Sequence, residues 1–211
     1  MDQLDRCGAP RSRFLTFRRR RRLQALVLAM SCGARLSHAW ETHVASTVPG
    51  GGDEARAVVV DTDRSVVTTG VTQNPVSIAA PSRDFTVAKL SGPNGTQLWR
   101  TLIDDAQDRN SEGFAVALNA NHDVFAAGFI TIQGVGGRFT VVKLDGTTGT
   151  ELWRAGFDGT ANNTDQALAV TVDPSGNVLA AGFVVNTATG NDAFVVKLDG
   201  ATGLTLWTRT I

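Results

Sequence analysis

Three stretches of the chain share one pattern of apolar and polar positions. "ARAVVVDTDRSVVTTGV" (55–71), "GFAVALNANHDVFAAGF" (113–129) and "ALAVTVDPSGNVLAAGF" (167–183) each hold a strand-length apolar run and a polar turn cluster. Each then has a second apolar run closing on Gly70, Gly128 or Gly182. Two such runs around a cluster of Asp, Asn, Ser and Gly predict a β-hairpin. In the third copy Pro174 presets φ for the turn and Gly176 supplies a positive φ.

A second block recurs in phase with the first: "FTVAKLSGPNGTQLW" (85–99), "FTVVKLDGTTGTELW" (139–153) and "FVVKLDGATGLTLW" (194–207). Lys89, Lys143 and Lys197 lie 54 residues apart and are all the lysines of the chain. Trp99, Trp153 and Trp207 keep the same spacing, and Trp40 falls 59 residues before Trp99, where a fourth copy would place it. Each repeat thus holds four short strands joined by turns, and no window beyond residue 55 sustains a helical period. Four antiparallel strands per repeating unit define the blade of a β-propeller. The expected fold class is all-β, with about three four-stranded antiparallel blades of ~54 residues in an incomplete ring. The expected divisions are a leader at 1–39, a leading Trp strand plus first blade at 40–104, a second blade at 105–158 and a third at 159–211.

The same pattern assigns roles to the repeated residues. A large aromatic at one fixed point of each blade fills the wedge between neighbouring sheets, so the tryptophans are expected to be structural. The lysine stems are expected to lie along the sheet with their ammonium groups at a polar rim. Three blades are fewer than the four to eight of a closed propeller. The expectation is therefore a piece of a longer protein, with self-association through open blade edges as the alternative.

Charge is distributed unevenly. Residues 1–39 hold nine of the 20 basic residues and two of the 20 acidic ones, leaving 11 basic against 18 acidic groups in residues 40–211. An acidic body repels nucleic acid and anionic lipid, so neither is an expected partner. The arginine block at 18–22, the apolar "LQALVLAM" and "SHA" at 37–39 form a secretory leader pattern with cleavage near Ala39. The apolar run is too short to span a bilayer. Export to the periplasm or the cell exterior follows, with a lipid anchor at Cys32 as the alternative. Cys7 and Cys32 both lie in the leader, so the remainder has no thiol for a disulfide framework or for nucleophilic chemistry.

Catalytic and metal motifs are not evident. His43 and His122 are 79 residues apart in no metal-ligand spacing, and His122 sits in a turn that calls for polar residues anyway. The Asp-rich pieces at 61–63, 103–110 and 157–165 leave calcium as an alternative to no cofactor, although none alternates ligands and closes on Glu. No catalytic, cofactor-binding or metal-binding residue is assigned. The expected role is a non-catalytic surface for a protein or carbohydrate ligand, carried by loops 72–84, 130–138 and 184–192.

At "DAFVVKLDGATGLTLW" (192–207), "RFTVVKLDGTTGTELW" (138–153) and "ALAVTVDPSGNVLAAG" (167–182) the chain resembles the bacterial seven-bladed β-propeller repeat family. It also resembles quinoprotein-like propellers, whose tryptophan-docking motif is Ala-x-Asp-x-x-x-Gly-x-x-x-Trp. Asp145, Gly149 and Trp153 keep that spacing, as do Asp199, Gly203 and Trp207. Ser91 replaces the Asp in the first copy, and Lys143 and Lys197 replace the family's Ala. The resemblance implies that these residues dock blades together. The quinone-dependent members also carry calcium ligands and a vicinal cysteine pair that this chain lacks, so the resemblance implies the fold and not the cofactor. Part of a quinoprotein-like oxidoreductase or of a polysaccharide-active propeller enzyme is the alternative.

Overall fold

A computed structural model describes residues 40–46, 52–74, 82–104 and 110–211. The leader, including Cys7, Cys32 and His38, and most of loop 72–84 lie outside the described residues.

Twelve strands form three four-stranded antiparallel sheets, each a simple meander in chain order. The first sheet contains β1 (Glu54–Val60), β2 (Val66–Asn74), β3 (Ser82–Leu90) and β4 (Gln97–Ile103). The second contains β5 (Glu112–Leu118), β6 (Val124–Ile132), β7 (Gly136–Leu144) and β8 (Glu151–Phe157). The third contains β9 (Gln166–Val172), β10 (Val178–Asn186), β11 (Gly190–Leu198) and β12 (Thr205–Thr210). The sheets are propeller blades and do not close into a ring. No helix among the described residues is long and apolar enough to cross a membrane.

Cores lie between successive sheets. Val67, Phe85, Val87 and Ile103 of the first sheet cluster with Val124, Ala126, Val142 and Leu144 of the second. The alternate residues of the second sheet, Phe125, Ala127, Phe139 and Val141, cluster with Val178, Ala180, Phe194, Val196 and Leu198 of the third. A strand covered on both faces has no solvent side, which is why "VFAAGF" reads as a continuous apolar run.

Two bulges recur in every sheet. The first, on the first strand of each sheet, leaves Arg56, Phe114 and Leu168 as the extra residues. Gly70, Gly128 and Gly182 sit opposite these bulges, and a Cβ there would overlap the carbonyl oxygens of Glu54, Glu112 and Gln166. Their repetition therefore reflects backbone crowding rather than turn formation. The second bulge follows the lysine. Lys89, Lys143 and Lys197 pair directly with Trp99, Trp153 and Trp207, and Leu98, Leu152 and Leu206 are extra residues without a cross-strand partner.

The expected leading strand differs. Residues 40–46 form no strand and are hydrogen-bonded into none of the three sheets. Trp40 nevertheless occupies the docking place on the first sheet. Its Nε1 donates to Gly92 O at 2.6 Å, and its ring covers Gly95.

Candidate functional site

The repeated residues converge where the turns of neighbouring sheets meet. Trp99 lies against Gly149 of the next sheet, and Trp153 against Gly203. Their indole nitrogens donate to Gly146 O at 3.2 Å and Gly200 O at 3.3 Å. The glycines are required twice over: each has a positive φ of 74°, and a Cβ would stand 2.8 Å or 2.7 Å from the indole. Trp207 has no such turn before it among the described residues and is 39% exposed.

The turn that receives each indole is shaped by its own first residue. Asp145 Oδ1 accepts the backbone N–H groups of Thr147 and Thr148 and the Thr148 hydroxyl. Asp199 Oδ1 repeats this with Ala201 and Thr202. These bonds to Thr148 and Thr202 hold both carboxyls below the usual carboxylate range. In the first copy, where Ser91 replaces the acid, Asn94 Oδ1 takes the N–H of Thr96 instead.

Each lysine is tied to the β-turn between the first two strands of its own sheet. Lys89 Nζ lies 3.3 Å from Asp61, Lys143 Nζ 2.9 Å from Asp123, and Lys197 Nζ 2.7 Å from Asp173. The sequence pattern did not reveal these partners, because the acid moves within the turn. It stands first in "DTDRS" and "DPSGN" but last in "NANHD", where Asn119 takes the first place. Asn119 accepts the N–H groups of Asn121 and Asp123 and donates its own amide to Asp123, which orients the displaced acid. Lys197 pulls the Asp173 carboxyl down to about 2.

His122 links the first two sheets. Its Nδ1 donates to Asp61 Oδ1 at 2.6 Å, so the turn of the second sheet is bonded to that of the first. Burial alone would raise the Asp61 carboxyl, but bonds from His122, Thr62 N and Lys89 hold it below its ordinary value. Further out, Glu112 receives Arg56 at 2.5 Å and Arg83 at 3.2 Å, another tie between the same two sheets. Asp165 accepts Val185 N and Gly159 N, while burial pushes its carboxyl up.

These contacts hold turns and neighbouring sheets together, and one leucine per sheet stays outside them. Leu98, Leu152 and Leu206 are 56%, 51% and 50% exposed, one per sheet at the same place. The bulge turns each leucine outward so that the tryptophan after it can turn in. Of the loops expected to vary, Ile132–Gly136 and Asn186–Gly190 are tight hairpins between long strands.

No curated protein matches the chain. Among solved structures, it is similar to quinohemoprotein alcohol dehydrogenase from Comamonas testosteroni, with 14% identity over 61% of this chain and 25% of that one and a TM-score of 0.48. BamB from Moraxella catarrhalis is similar at 17% identity over 72% of this chain and 35% of that one, with a TM-score of 0.39. A europium-containing methanol dehydrogenase is similar at 17% identity over 76% and 26%, with a TM-score of 0.44. The chain thus spans about a quarter to a third of the length of these structures. The family model described as outer membrane protein assembly factor BamB matches residues 83–210, more than half of the sequence. With its docked indoles and repeated four-stranded sheets, the chain belongs to this family of PQQ-like β-propeller proteins.

Proposed function

We propose that this chain is an exported, non-catalytic segment of a propeller that acts by holding other proteins against its outer rim. The observation that carries the proposal is the row Leu98, Leu152 and Leu206, about half exposed at equivalent points of three sheets. Exposed apolar side chains in a repeated arrangement suit protein contact better than small-molecule chemistry. The family description, which names an assembly factor, supports a protein partner. A role without a cofactor is supported by how the repeated cations and indoles are used: the lysines are paired with aspartates, and three tryptophans are docked on glycine turns. Export is supported by the leader pattern of residues 1–39.

The test places a photoreactive residue at Leu98 or Leu152, with Thr147 as an exposed control, in protein secreted with its own leader. Discrete protein adducts at the leucine positions and none at Thr147 are expected, in material whose N-terminus lies near Trp40. Equal labelling at Thr147 would remove the rim as the binding surface. Dye reduction on adding pyrroloquinoline quinone, calcium and an alcohol would replace the proposal with an oxidoreductase.

A further inference from the structure

The two junctions between sheets are built from the same repeat, yet one is filled and the other is open. A notch of about 230 Å³ lies between the second and third sheets, and its lining includes Asn119, Asn121, Lys143, Ser175, Asn177 and Asp199. One junction earlier, His122 reaches across to Asp61 at 2.6 Å, and Lys89 donates to both Asp61 and Gly146 O. Gly176 stands at the position of His122 in the third sheet. Both adopt a positive φ, 83° and 66°, but Gly176 has no side chain to project. A Cβ placed on Gly176 would meet nothing within 4 Å.

The polar groups around the notch are also less engaged than those of the filled junction. Lys143 is paired with Asp123 at 2.9 Å and makes no second hydrogen bond or close ion pair among the described residues, although its charge is felt by Asp199. The side chains of Asn121, Ser175 and Asn177 form no hydrogen bond within the described residues, although their backbone N–H groups do. Asp199 receives Ala201 N, Thr202 N and the Thr202 hydroxyl all on Oδ1, which leaves Oδ2 as an acceptor. The notch thus combines an ammonium, two amides, a hydroxyl and a carboxylate oxygen. Asp123 and Asp199 disfavour an anion there, and Lys143 disfavours a simple cation. A guest that donates and accepts at adjacent atoms satisfies all of them, as vicinal hydroxyls do. The volume is below the ~300–1,000 Å³ of pockets for drug-sized ligands, so the guest is about one ring in size.

We propose that the notch between the second and third sheets binds a saccharide, one pyranose ring held through vicinal hydroxyls by Lys143, Asn121, Asn177 and Asp199. This site is separate from the leucine rim and does not depend on it.

The experiment titrates the ¹⁵N-labelled chain separately with D-glucose, D-mannose and N-acetyl-D-glucosamine, following the side-chain amides of Asn121 and Asn177. Glycerol and imidazole serve as comparison probes. At least one sugar is expected to give saturable shifts at both amides. Gly176→His, which installs the side chain of the filled junction, and Asn121→Ala are each expected to weaken that binding at least ~10-fold. No saturable shift with any of the three sugars would overturn the proposal. So would sugar binding that both variants leave unchanged, equal saturation by glycerol, or saturation by imidazole alone.

Discussion

Trp153 and Trp207 are the same residue at the same place in successive sheets, and what differs is the surface in front of each. Trp153 is packed on Gly203 and within 5.9 Å of the Phe125 ring, whereas Trp207 is 39% exposed. Truncating a packed indole removes its burial and leaves a cavity, so Trp153→Ala is expected to destabilise the chain by about 3–5 kcal/mol. Trp207→Ala, with no cavity to create, is expected to lose under ~1 kcal/mol. Chemical denaturation followed by far-UV circular dichroism distinguishes the two, and equal losses would contradict the docking role. On the receiving side, Gly149→Ala combines a positive φ with a Cβ 2.8 Å from Trp99, and a loss of more than about 1 kcal/mol is expected in the same assay.

Within each sheet, the lysine on the third strand and the acid in the first turn join elements that are separate in sequence. The lowered carboxyls of Asp61 and Asp173 give the ties of the first and third sheets a pH dependence. Asp173 titrates at about 2 in the folded chain against 3.8 unfolded. Its contribution is complete above the unfolded value and is lost as pH falls toward 2. Asp61, Asp145 and Asp199 shift in the same direction, while Asp165, raised by burial, opposes them. Thermal midpoints are therefore expected to fall between about pH 4 and pH 2. Lys197→Met is expected to return the Asp173 carboxyl toward 3.8 in a carboxyl NMR titration. Much at this scale was legible beforehand. The hairpins, the turns and the pairing of the Lys strand with the Trp strand all follow from apolar runs broken by Gly, Asp and Asn. The bulges were not legible, because an extra Leu or Phe in an apolar run does not change its composition. The acid that holds each lysine was hidden by its move from the first to the last position of the turn in "NANHD".

At the scale of the whole molecule, the two outer sheets each present a face with no blade against it among the described residues. Val58 and Val60 are both 66% exposed, although Val116 and Leu118 pack into a core at the corresponding place of the second sheet. A groove of about 510 Å³ lined by Trp40, Val58, Val66 and Leu90 lies beside residues 40–46. On the third sheet Trp207 and Ile211 are exposed. Apolar faces of this kind associate, so sedimentation is expected to show mass rising with concentration. Trp207→Lys is expected to reduce that rise, and a monomer at every concentration would rule it out. The number of sheets and their order were legible from the 54-residue spacing, but the contents of the junctions were not. Nothing in "NANHD" indicated that His122 crosses to Asp61, since a partner 61 residues away leaves no local mark. The docking contact also has a polarity: each unit offers an indole forward and a glycine turn backward. Excising one 54-residue period from the middle would leave Trp99 facing Gly203, a donor meeting an acceptor of the same kind. A lineage built this way can gain or lose entire modules by recombination while the indole-on-glycine contact at each seam is kept.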